Sequence, residues 1–173
     1  MTGPSCRFLL VLLSLLATAG SQSDAQSLPT DPAHERRRNH RQDFLSATFQ
    51  EIRTALQEWR DLVARRDTQA LARAVTESVF FSPAEGWRAS GRDELVDSAG
   101  GWLTSVRNYS LTPEDFDASD NMAFVMAQVR YELLGAGTGN EFVTADCAIV
   151  FYREGRQWRM RSYFERLTEN KPD

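Results

Sequence analysis

The stretch NMAFVMAQVRYELLGAGTGNEFVTADCAIVFYREGRQWRMRSYFERL, residues 121–167, decides the fold. Its latter part holds two β-rich runs, Phe142 to Arg153 and Trp158 to Arg166. Between them Glu154-Gly155-Arg156-Gln157 is a short polar turn with the glycine that a hairpin favours. Along a strand, residues i and i+2 share a side. Val143, Ala145, Cys147, Ile149 and Phe151, with Trp158, Met160, Ser162 and Phe164 on the return, therefore make one nearly all-apolar face. Pairing Phe151 with Met160 and Ile149 with Ser162 keeps both sets together, whereas a slip of one residue sets Arg159 or Arg161 against the core. The run Met122, Phe124, Met126, Gln128, Arg130 extends that face onto a third strand, joined through the loop Gly135 to Asn140. Asp146, Val150, Tyr152, Tyr163 and Glu165 fall on the opposite face. A sheet with a one-sided core is expected.

The chain before this sheet supplies the cover. Leu45, Phe49, Ile52, Leu56, Trp59 and Val63 follow the 3-4 spacing of one helix face, which predicts a long helix over Leu45 to Arg66. Asp67 is placed to cap a second, short helix beginning at Thr68, its carboxylate accepting free amide hydrogens of the first turn. Ser78 to Pro83 and Gly86 to Ala89 read as a small hairpin, and Gly91-Arg92-Asp93-Glu94-Leu95 opens a third helix carrying Trp102, Leu103 and Val106. Gly100-Gly101 inside that helix predicts a bend or a close backbone approach, because each glycine costs about 1 kcal/mol against alanine. Asn108 to Asp117 is the strand that leads into the sheet, with Pro113 placing its far end at an edge or outside the sheet.

Residues 1–19 have the form of a secretory signal: Arg7, an apolar run from Phe8, and small residues at Ala17-Thr18-Ala19. A cut after Ala19 or after Ala25 is expected, the uncleaved anchor being the alternative; the apolar run is shorter than the roughly 20 residues a membrane span needs. Residues 20–42, rich in Ser, Gln, Pro, Asp and Arg, read as a disordered linker, residues 43–168 as the one domain, and residues 169–173 as a tail. Export to the periplasm or the outside, with no stable membrane insertion after cleavage, follows as the expectation. Of 20 basic and 24 acidic residues, five and three respectively precede Gln42, leaving 15 against 21 in the domain, which argues against nucleic acid as a partner.

Histidine and cysteine narrow the chemistry. His34 and His40 both precede the domain, so a histidine acid/base pair or a histidine-held metal inside it is not expected, and no cofactor is implied. Past the signal only Cys147 remains, on the expected core face, where a buried inert thiol is favoured over a nucleophile.

Trp59 to Asp67 (WRDLVARRD), Val79 to Pro83 (VFFSP), Gly91 to Leu95 (GRDEL) and Arg153 to Met160 (REGRQWRM) resemble, in order and spacing, the SnoaL-like and steroid isomerase-like branch of the nuclear transport factor 2-like superfamily. The resemblance covers roughly Phe44 to Leu167. It implies an α+β cone, a strongly curved, mostly antiparallel sheet with three helices closing its concave face. Isomerases, dehydratases, cyclases and non-catalytic binding modules all share that fold, so function rests on the site.

The residues expected to line the pocket are Trp59, Trp102, Tyr109, Gln128, Arg130, Glu132, Cys147, Ser162 and Phe164. On this register no carboxylate faces the core, which favours a pocket that binds a small amphipathic molecule without catalysis. The alternative is an isomerase, dehydratase or cyclase acting on a small apolar substrate without a metal, Glu132 or Tyr109 moving the proton and Arg130 stabilising an oxyanion. The outer face, with Val125, Val129, Val150, Tyr152 and Tyr163, carries too much apolar surface for water and predicts a homodimer.

Overall fold

The computed structural model of the chain describes residues 32–135 and 139–168. Helix α1 spans Pro32–Arg65, α2 Thr68–Ala74 and α3 Arg92–Ser105; the strands are β1 Val75–Ser82, β2 Ala89–Ser90, β3 Val106–Ala118, β4 Met122–Leu134, β5 Asn140–Glu154 and β6 Gln157–Leu167. The six strands form one sheet in the order β2-β1-β6-β5-β4-β3, antiparallel throughout except where β1 lies parallel to β6. β3 is thus an edge strand, which is where Pro113 is tolerated. The signal segment, its cut sites, loop residues 136–138 and the tail lie outside the described residues.

α1 begins at Pro32 rather than Leu45, so the helix reaches into the segment read as a linker; its residues 33–42 are exposed and His34 and His40 sit there. Its buried face is Ile52, Leu56, Trp59, Leu62 and Val63. α1 stops because Arg66 takes a left-handed φ of 59°, with Asp67 N–H reaching back to the Leu62 carbonyl at 3.1 Å and Arg66 N–H to that of Val63 at 3.1 Å. Asp67 then caps α2, accepting the Ala70 N–H at 2.8 Å. In α3 neither Gly100 nor Gly101 is crowded, since an added Cβ would meet nothing within 4 Å at either; the expected close approach is absent.

Two corrections concern which way side chains point. β4 pairs with β5 so that Val125 lies opposite Ile149 and Ala127 opposite Cys147. The inward residues of β4 are therefore Ala123, Val125, Ala127, Val129 and Tyr131, and the set read as inward, Met122 to Arg130, faces out. The cause is volume: the bulky rings of the helices fill the concave side, so the sheet there offers small and β-branched side chains. The second correction is in β6. Phe151 pairs with Met160 as expected, but Ser162 pairs with Val150, not Ile149, leaving Arg161 unpaired in the ladder. One extra residue reverses every side chain beyond it.

Among the described residues no helix is long and apolar enough to cross a membrane.

Candidate functional site

Two bulges build the site. In β6 the unpaired Arg161, whose guanidinium donates to the Ser78 carbonyl of β1, turns Tyr163 and Glu165 inward and Ser162 and Phe164 outward. In β3, Arg107 pairs with Glu132 and Ser110 with Arg130, so Asn108 and Tyr109 together oppose the single residue Tyr131. Asn108 adopts a φ of 51°, a region asparagine enters more readily than most residues. The consequence is that Tyr109 and Leu111 share the inner side with Val106. Without the bulge Tyr109 would face out.

The four hydroxyl and carboxyl groups meet above the sheet as a directed chain. Trp59 Nε1 of α1 donates to the Tyr109 hydroxyl at 3.2 Å, and the Tyr109 and Tyr163 hydroxyls are 3.0 Å apart. Tyr163 in turn donates to Glu165 Oε1, so the hydrogen between the two tyrosines comes from Tyr109. Glu165 Oε2 accepts from the Tyr131 hydroxyl at 2.8 Å and from the Ala84 N–H at 2.9 Å. The Ala84 amide is presented by the turn after β1, which Gly86 closes with its N–H on the Pro83 carbonyl at 3.2 Å. Next along that turn, the exposed Glu85 accepts from Trp102 Nε1 of α3 at 3.1 Å.

Around these groups the walls are aromatic. Tyr163 is stacked on Phe81 with ring centroids 4.5 Å apart, Phe81 meets Trp87 at 5.3 Å and Trp102 at 5.6 Å, and Tyr109 stacks on Tyr131 at 6.0 Å. Burial raises the Glu165 pKa; the hydrogen bonds from Tyr163, Tyr131 and Ala84 pull it back in part, and the charge of Glu85 adds to the rise. Burial first, then the charge of Glu165, keeps the Tyr109 and Tyr131 hydroxyls protonated, and the same is true of the Cys147 thiol. For Tyr163 burial again comes first, followed by its neighbours Tyr109, Cys147 and Glu165. The arrangement therefore holds one carboxyl that can gain or lose a proton amid phenols that stay protonated.

Of the residues expected to line a pocket, Trp59, Trp102, Tyr109 and Cys147 come together at or beside this cluster. Gln128, Arg130, Ser162 and Phe164 do not. The first two belong to the outward set of β4, and the bulge turns the last two out, Phe164 stacking on Phe80 at 5.0 Å. Glu132 also lies off the inner face, its Oε1 accepting from Asn108 Nδ2 at 2.8 Å. Asp146 faces out as expected and pairs with Arg166 at 3.0 Å. Tyr131, Tyr163 and Glu165 are what the sequence reading missed. Strict alternation gives Phe164 to one face and Tyr163 to the other, so past Met160 an aromatic side chain is available to either phase and pattern alone cannot choose.

Among the described residues no three His, Cys, Asp or Glu side chains gather as a metal site. A separate groove of about 640 Å³ lies at the other end of β5 and β6, between their turn and helices α1 and α2.

A curved six-stranded sheet with three helices over one face and a polar cluster on that face defines the α+β cone class. The chain belongs to the SnoaL-like domain family, whose model matches residues 52–164. No curated protein matches it. Its fold is shared with a candidate scytalone dehydratase from Novosphingobium aromaticivorans, at a TM-score of 0.64 and 18% identity over 73% of this chain and 88% of that one. A candidate dehydratase of the nuclear transport factor 2-like family from Streptomyces avermitilis gives 0.63 and 14%, over 71% and 98%. A ketosteroid isomerase-like protein from Erwinia carotovora atroseptica gives 0.61 and 15%, over 69% and 95%.

Proposed function

We propose that the chain is an acid/base enzyme that moves a proton on a small, largely apolar carbonyl compound, as an isomerase or dehydratase does. The observation that carries this reading is Glu165: a carboxyl with a raised pKa, on the inner face, within hydrogen-bond reach of two phenols. A carboxylate in that setting is a base poised nearer neutrality than an exposed glutamate. Glu165 takes the proton from the carbon next to the carbonyl, the C–H electron pair becomes a carbon–carbon double bond as the carbonyl π pair moves onto its oxygen, and a tyrosine hydroxyl donates to the oxyanion that forms. Return of the proton to a different carbon isomerises the compound; its delivery to a departing β-hydroxyl releases water. The aromatic walls suit an apolar body, and the fold likeness to candidate dehydratases and an isomerase-like protein is in keeping with this class.

A second reading, binding without catalysis, is favoured by the saturation of Glu165, whose oxygens already accept three hydrogen bonds. Hydrogen–deuterium exchange at the α-carbon of a panel of enones and β-hydroxy ketones, followed by proton NMR, separates the two. The enzyme reading expects exchange above buffer for at least one compound and a loss of about 100-fold or more in Glu165→Gln. Compounds that bind yet exchange at the buffer rate would favour plain binding.

We also propose export, with a mature chain lacking at least residues 1–19, checked by the N-terminal sequence of the exported protein. For the outer face we propose a second copy of the chain as partner, with corrected membership. Val125, Val129 and Tyr163 are each 0% exposed beneath the helices and take no part. Val150 and Tyr152 remain, joined by Met122, Phe124 and Phe164, a contiguous apolar face of the kind monomers rarely leave in water.

A further inference from the structure

The groove between α1, α2 and the β5–β6 turn lies toward the opposite end of the strands from Glu165, and Trp59, whose Nε1 reaches the Tyr109 hydroxyl, lines it as well. Glu165 pairs with Cys147, whereas the groove takes Phe151, Trp158 and Met160 from the other end of the hairpin. Its apolar lining is Ala55, Ala70, Ala74 and Trp158, together with Trp59, Leu62, Phe151 and Met160, which are at most 2% exposed. Its volume, about 640 Å³, is that of a small-molecule site. Arg65 and Arg73 from the helices and Arg156 and Arg159 from the hairpin stand around it.

Charge gives the groove a sign. Arg65, Arg73 and Arg156 are exposed, and none makes an ion pair among the described residues. Arg159 is bound to Glu154 at 3.2 Å, yet its Nε is buried with no acceptor. Two carboxylates also line the groove. Glu51 is committed, to Arg153 at 3.1 Å and to Trp158 Nε1 at 2.7 Å, which leaves Glu58 as the one acidic group there without an ion-pair partner. Three free guanidiniums against one free carboxylate make a positive rim in a chain whose net charge is −4. A positive rim over an apolar floor selects a ligand with an apolar body and an anionic head.

We propose that this groove binds an amphipathic organic anion, an apolar chain or ring bearing a single carboxylate or similar head, at a site distinct from the Glu165 cluster. The body lies against Ala55, Ala70, Ala74 and Trp158, and the head meets the guanidiniums of Arg73 and Arg156, whose planar forks match a carboxylate. The reading does not depend on the chemistry at Glu165.

Isothermal titration of the mature chain with dodecanoate and dodecyltrimethylammonium below their micelle concentrations, and with dodecanol below its solubility limit, tests it. Dodecanoate is expected to bind one per chain, dodecanol at least tenfold more weakly, and the cation not at all. Arg73→Glu with Arg156→Glu should weaken dodecanoate tenfold or more, and Thr54→Trp, which fills the groove from an exposed helix position, should abolish binding. Glu165→Gln should leave it unchanged. Absence of dodecanoate binding, equal affinity for dodecanoate and dodecanol, indifference to the arginine changes, or loss in Glu165→Gln would each overturn the proposal; the last would move the ligand to the carboxyl cluster.

Discussion

The two halves of β6 carry different work, and Arg161 separates them. From Trp158 to Met160 the strand alternates as its apolar pattern dictates and completes the core. From Ser162 to Leu167 the phase is reversed, and polar Tyr163 and Glu165 occupy the inner face while Phe164 is left outside. The first half obeys hydrophobic patterning; the second departs from it at an energetic cost, since a carboxyl on the inner face needs donors to offset its lost hydration. Tyr131, Tyr163 and Ala84 supply them. A departure from pattern that is this fully compensated marks the part of the strand where a functional site is to be sought.

Changes at Arg161 test how the two halves are joined. Deleting Arg161 takes out the extra residue and sets Ser162 directly after Met160, so the ladder becomes regular while Tyr163 and Glu165 keep their inward places; urea unfolding should show a loss of only about 1–3 kcal/mol. Arg161→Ala keeps the residue count and loses only the bond to the Ser78 carbonyl, so the bulge should survive at a cost of about 1 kcal/mol. If the deletion abolished folding, the inward places of Tyr163 and Glu165 would depend on the bulge itself and not on their pairing with Ile149 and Cys147.

The sheet's two faces offer the next contrast. Val125→Glu buries an unpaired charge beneath the helices and should destabilise by about 3–5 kcal/mol. Val150→Glu sits on the outer face, so the folded monomer should keep its stability while light scattering shows the dimer lost. A wild-type monomer at tens of micromolar contradicts the partner proposed for that face.

At the other bulge, Asn108→Val places a β-branched side chain at a positive φ and should cost about 1–3 kcal/mol, against a few tenths for Asn108→Gly. Equal losses would mean that strain at Asn108 does not set the phase of β3. Smallest of all, Gly101→Ala in α3 is expected to stabilise by about 0.5–1 kcal/mol, since the new methyl meets open space.

How far the sequence is readable follows from the same contrast. The helices, the Asp67 cap, the β5–β6 turn and the Phe151–Met160 pair were legible because periodicity and turn chemistry are local. The face of β4 was not: Met122, Phe124 and Met126 are larger than Ala123, Val125 and Ala127, and only the volume taken by Trp59 and Trp102 shows why the smaller set is inside. The cluster was half legible. Trp59, Trp102, Tyr109 and Cys147 could be named, while Glu165 depended on a single unpaired residue that leaves no trace in hydrophobic alternation. The outer-face residues Val125, Val129 and Tyr163 were misplaced for the same two reasons.

Burial makes the protonated form of Glu165 the one folding favours. Its contribution to stability is present in full below the unfolded-chain pKa and is lost as pH climbs through the raised, folded value. Glu165→Gln removes that dependence, so its melting temperature should gain on wild type as pH rises above the unfolded-chain value of about 4.3.

The most direct test of Glu165's place inside the cone is the titration of its side-chain carboxyl carbon by NMR. The account predicts a midpoint clearly above the roughly 4.3 of an exposed glutamate, and a further rise in Tyr163→Phe, which removes a hydrogen bond that stabilises the anion. A midpoint at or below the ordinary value, unmoved by Tyr163→Phe, would place Glu165 in solvent and contradict the account.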